Sequence, residues 1–144
     1  MSYRIYCKCD NFGRVIRTRL TDDNLGAPWI LVPEEHAIDL RRDMYRFHYK
    51  DNQIVKKETA RLSVSTPIFK ADGQDHAAVM VIPDDPNYKK PIRLVINSEE
   101  IFVKPNEVIE IVSEKEGSFT IELVDDHIAA EKSRRETFAR KNNE

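Results

Sequence analysis

Cysteine occurs twice, glycine four times and tryptophan once in the 144 residues, and no apolar run is long enough to cross a bilayer. The scarcity of cysteine excludes a Cys-rich metal site and a disulfide framework. The pair itself, Cys7 and Cys9, forms C-x-C on an expected strand, where the two Cα atoms would lie roughly 6.5 Å apart and a disulfide would be strained. They read as two half-buried small apolar side chains of a chain folding in a reducing cell. There is no Gly-rich phosphate loop. The opening "MSYRIYCKCD" has no apolar core of a signal peptide, so synthesis and folding in the cytosol are expected, with no membrane insertion.

Charge of one sign is also lacking. Residues 1–60 carry 11 basic and 9 acidic groups, residues 61–125 carry 7 and 12, and the last nineteen carry 5 and 4, for a net charge of −2. No part has the positive field that non-specific duplex binding needs, so nucleic acid is not the expected partner. Chemistry-bearing motifs are missing as well. His36, His48, His76 and His127 are scattered without H-x-x-H, H-E-x-x-H or a Cys/His cluster, and no G-x-S-x-G occurs. A non-enzymatic chain without a cofactor is expected.

What is present is a series of short β-type runs. "YRIYCKCDNFGRVIRTRL" reads as a hairpin over residues 3–20 around Asp10-Asn11-Phe12-Gly13. Arg4, Lys8, Arg14, Arg17 and Arg19 make it a basic ribbon, and Arg14, Arg17 and Arg19 are candidate interaction residues. Pro33 with Glu34 and Glu35 predicts the start of one short helix, with Ile38, Leu40 and Met44 at helical spacing. Tyr45, Phe47 and Tyr49, a turn at Asp51-Asn52, and Ile54-Val55 predict a second hairpin. Residues 1–58 are therefore expected to form a small α+β hairpin–helix–hairpin docking module.

From residue 59 to 125 the chain predicts strands only. "ADGQDHAAVMVIPDD" places a polar turn, with Gly73 free to take positive φ, before a strand apolar on both faces, as one covered on both sides would be. "IRLVIN" (92–97), "EIFV" (100–103), "EVIEIV" (107–112) and "SFTIELV" (118–124) follow, punctuated by Pro86, Pro91, Pro105, Asn106 and Gly117. About six or seven strands without a helix signal predict a β-sandwich. Residues 126–144 have an Asp cap and good helix formers, and predict a helical or flexible tail. The fold class expected is thus mainly β.

Two resemblances attach to these residues. Ala71-Asp72-Gly73-Gln74-Asp75-His76-Ala77-Ala78-Val79-Met80-Val81, Ile92-Arg93-Leu94-Val95-Ile96-Asn97 and Gly117-Ser118-Phe119-Thr120-Ile121 resemble three ordered motifs of the bacterial immunoglobulin-like domain family, with Ser98 where that family has Gly. Pro33-Glu34-Glu35 and Tyr45 to Val55 resemble a small module of phage tail and tail-fibre-associated proteins, with Asn52 in place of the usual Gly.

Together they imply a structural or adhesion component of a tailed phage or prophage virion, assembled in the host cytoplasm as a homo- or hetero-oligomer with other virion proteins. The alternatives are a carbohydrate-binding module for a host-surface glycan, with Trp29, Tyr88 and Phe102 as candidate stacking residues, and a small regulator binding nucleic acid or a host protein. Asp72, Asp75, Asp84 and Asp85 are candidate Ca²⁺ ligands, since turn carboxylates supply the oxygen that calcium takes.

Overall fold

The computed structural model describes residues 3–141, and the chain divides between Lys57 and Glu58 into two compact units. The first is built on a three-stranded antiparallel sheet of order β2-β1-β3, from β1 (Arg4–Cys9), β2 (Val15–Thr21) and β3 (Ile30–Leu31). A 3₁₀ turn at Glu34–His36, one short helix α1 (Ala37–Arg42) and a second 3₁₀ turn at Met44–Arg46 lead to the hairpin β4 (Phe47–Lys50) and β5 (Gln53–Lys56). Cys7, Val15, Val32, Leu40, Phe47 and Ile54 form its core, with Ile5, Cys9, Ile30, Met44 and Tyr49 packed around them. Leu40 and Met44 thus turn inward as expected. Ile38, two residues before Leu40 and so on the other side of the helix, points to solvent and is 80% exposed.

The second unit has two sheets. One is five-stranded, of order β10-β9-β12-β14-β7, and the other four-stranded, of order β11-β8-β6-β13. The strands are β6 (Glu58–Val64), β7 (Ile68–Lys70), β8 (Ala77–Pro83), β9 (Ile92–Ile96), β10 (Glu99–Val103), β11 (Ile109–Ile111), β12 (Gly117–Leu123), β13 (Ile128–Ala130) and β14 (Arg134–Arg140). Their inner faces meet in one core: Leu62, Val79, Val81, Ile111 and Ile128 from one sheet, and Phe69, Ile92, Leu94, Val103, Ile121, Leu123 and Ala139 from the other. This is the layered arrangement that alternating strands dictate, because each sheet must bury one face. The fold is mainly β.

Three expectations are corrected here. The helical tail over 126–144 is absent among the described residues; residues 142–144 lie outside them. In its place β13 pairs parallel with β6, and β14 runs antiparallel to β12 and parallel to β7, inside the five-stranded sheet. The reason lies in which residues β14 turns inward: Arg135, Thr137 and Ala139, with Phe138 facing out. Arg135 donates to the Leu62 carbonyl at 3.0 Å and Thr137 to the Thr66 carbonyl at 2.8 Å, so polar side chains are satisfied by neighbouring backbone. Stretch 126–141 is therefore part of the second unit and not a separate tail. Strand β8, expected to be covered on both sides, is covered on one: Ala77, Val79 and Val81 are fully buried, while Ala78, Met80 and Ile82 are half-exposed.

Candidate functional site

In the second unit the pairing of Ile92 with Val103 and of Leu94 with Leu123 brings three connections to one end: residues 84–91, 104–108 and 124–133. Lys90, Pro91, Arg93, Phe102, Asp125, Asp126 and His127 line an open recess of about 300 Å³ there. Asp125 organises it. One carboxylate oxygen accepts the backbone N–H groups of His127 and Ile128, at 2.8 and 3.2 Å, and the other accepts that of Arg93 at 2.9 Å. The residue is 6% exposed, so its three donors replace the water it gives up. Arg93 lies across the same turn, with Nε donating to the Val124 carbonyl at 2.5 Å and Nη2 to Asp126 at 3.4 Å. Phe102, opposite Arg93 on the edge strand, keeps its ring 63% exposed. The recess thus combines an open aromatic face with charged groups of both signs.

The other candidate stacking residues are placed differently. Tyr88 is 8% exposed and belongs to the core, so it offers no face to a sugar. Burial, and then the negative charges of Asp125 and Glu58, push its phenol up to about 12. Trp29 is half-buried in the first unit, with the Arg19 guanidinium 4.4 Å above its ring. Arg14 stacks on Phe12 at 5.4 Å and donates to Asp10 at 2.7 Å. Arg17 and Arg19 are exposed on the sheet-edge strand β2.

The four calcium candidates are not brought together. Asp72 and Asp75 precede β8 and Asp84 and Asp85 follow it, and a strand of seven residues separates its ends by about 20 Å. Three carboxylates serve their own turns, Asp72 accepting from the N–H groups of Gln74 and Asp75, Asp75 from that of Lys70 and Asp85 from that of Asn87, while Asp84 accepts from the Thr59 hydroxyl on β6. This is the local bonding for which turns favour Asp. No group of three metal-binding side chains occurs among the described residues.

Sequence reasoning missed Lys90, Arg93 and His127 as site residues, and read Asp125 or Asp126 as a helix cap. Its signal was half correct, since Asp125 does bond the next backbone N–H groups, but the turn it closes launches β13. Cys7 and Cys9 are free thiols on one face of β1. The hydrogen bond between them, and then burial, hold Cys7 protonated, and the same bond lowers Cys9. No protein-family model matches this chain, and no curated protein sequence matches it either.

Proposed function

We propose that the chain is a non-enzymatic structural and adhesion component of a tailed phage or prophage particle, acting through protein–protein contacts of an immunoglobulin-like domain. The observation carrying this reading is the strand order of the second unit. In an immunoglobulin-like sandwich the first, second, fourth and fifth strands of the A-to-G series share one sheet, and the third, sixth and seventh share the other, extended by C′ in the variable type. Strands β6, β8 and β11 fit the first set, and β9, β10, β12 and β14 fit the second in the order C′-C-F-G. Two strands are additions to that series, β7 beside β14 and β13 beside β6, both paired parallel, and no described strand between β10 and β11 fills the fourth position.

The phage assignment draws on the Pro33–Glu35 and Tyr45–Val55 resemblance, and a stiff sandwich on a small adaptor suits repeated display, where many weak contacts act together. The particle is the test: phage assembled without this chain is expected to lose tail integrity or host attachment. Normal morphology, protein content and attachment would overturn the proposal.

A second reading, carbohydrate binding, is favoured by one observation, the exposed Phe102 ring at the mouth of the charged recess. Aromatic rings offer apolar faces to sugar rings. Glycan-array binding that Phe102→Ala abolishes would support it, and an array on which the intact chain binds nothing would dismiss it.

A further inference from the structure

Four cations of the basic hairpin gather on the face of the β2-β1-β3 sheet turned away from the core. Residues directly opposite one another on paired strands share a face, as do alternate residues of one strand. Because Ile5, Cys7 and Cys9 pack into the core, Arg4, Tyr6 and Lys8 point the other way; Tyr6 is 5% exposed, so the accessible surface of this face is that of the cations around it. Tyr6 faces Arg19 on one side and Leu31 on the other, Lys8 faces Arg17, and Arg4 faces Thr21. Four cations therefore lie on two adjacent strands, with no carboxylate at any of these register positions.

Arg4 donates to the Asp22 carbonyl and the Asn24 side-chain oxygen, both neutral acceptors, so its charge is not cancelled there. Lys8, Arg17 and Arg19 make no salt bridge among the described residues. Arg19 adds a planar surface, its guanidinium resting on the Trp29 ring. A guanidinium stacked on an aromatic ring keeps its N–H edge for a phosphate and its outer plane for a base.

We propose that this face binds a single-stranded nucleic acid. The phosphates neutralise Arg4, Lys8, Arg17 and Arg19, and a base stacks over the Arg19–Trp29 pair. An acidic peptide would match the charge and leave the stacked plane without a ring to meet. A duplex would match the charge and keep its bases within the helix. Between Arg4 and Lys8 the face measures about 13 Å along the strand, enough for a few nucleotides.

The experiment is a titration of the full chain with a labelled oligothymidylate at several salt concentrations. Trp29 is the only tryptophan, so its emission reports on this face directly. Four neutralised phosphates give a slope of log K against log salt of about −3, or roughly a 50-fold loss of affinity from 50 to 200 mM. Removing two cations, in Lys8→Gln with Arg17→Gln, is expected to halve the slope, while Arg17→Lys, which keeps the charge, retains it.

Several results would each overturn the proposal: no binding at the low-salt end, binding that leaves Trp29 emission unchanged, or an equal affinity for polyglutamate. So would tighter binding of the corresponding duplex, or an unchanged slope in the double variant with its melting temperature intact.

Discussion

At the turn between β9 and β10 two non-glycine residues sit in the left-handed region, Asn97 at φ 48° and Ser98 at φ 69°. Asn97 has a reason to be there. Its amide accepts from the Thr120 N–H at 2.9 Å and donates to the Ser118 carbonyl at 3.2 Å, fastening the turn to β12. Ser98 makes no comparable bond among the described residues, so Ser98→Gly is expected to raise stability by about 0.5–1 kcal/mol, read as a higher melting temperature. A lower one would show that Ser98 supports the turn in some other way.

Gly13 is the opposite case: at φ 83° its missing Cβ would meet the Tyr49 carbonyl and the His48 ring. Its own carbonyl accepts from the Tyr49 N–H at 2.8 Å. Gly13→Ala is expected to destabilise the first unit by about 2 kcal/mol or more, because backbone cannot yield as a side chain can. Chemical denaturation would detect it, and an unchanged midpoint would count against this close approach.

Asp10 in the same hairpin carries the pH dependence. Burial pushes its carboxyl up. That is outweighed by the hydrogen bonds it accepts from the Arg14 backbone and guanidinium, by the Arg14 charge and by the Phe12 N–H, which together hold it below the usual range. A carboxyl depressed in the folded state binds fewer protons than the unfolded chain, so its contribution is present above about pH 4 and lost as pH falls through the lowered value. The stability advantage of the native chain over Asp10→Asn is therefore expected to shrink in melts below about pH 4. An advantage equal at neutral and acid pH would remove the charged bond from the account.

Among the elements, β14 carries the largest consequence. It lies between β12 and β7, so a chain ending at Asp125 loses both β13 and β14, leaving β7 without its partner strand and β12 with an open edge. Such a chain is expected to lose the cooperative unfolding of the second unit, seen as a missing near-ultraviolet signal and thermal transition. A sharp transition at the native temperature would show the strand to be dispensable.

Strands with apolar residues at period two were legible in the sequence. In β12, Ile121 and Leu123 turn inward beside the partly buried Phe119, and both N-terminal hairpins form at their Asx-containing turns. Strand β14 was not legible, because its pattern is inverted: the one large apolar residue, Phe138, faces solvent, and Arg135 and Thr137 face in. Only tertiary acceptors make that arrangement favourable, and those lie some seventy residues away.

The candidate sites were legible in the same uneven way. Arg17, Arg19, Trp29 and Phe102 were marked by residue type. Their common face or recess depends on register, and the burial of Tyr88 depends on a core that local spacing does not encode.

For the whole molecule, the two cores differ in size. Among the described residues, six buried side chains make up the apolar cluster of the first unit and fifteen that of the second. Since all nine strands β6 to β14 pair within the second unit, residues 58–144 are expected to fold alone and give a dispersed amide spectrum. A collapsed spectrum would mean that this core is insufficient by itself. Substitution Leu62→Ala, at a side chain 2% exposed, is expected to cost that unit about 2–5 kcal/mol.

The placement of β14 also sets a timetable during synthesis. Every strand of the first unit is available once residue 57 has left the ribosome, so that unit can close while translation continues. The five-stranded sheet must wait for Arg134–Arg140, and until then β7 and β12 present open edges to whatever nascent chains are nearby.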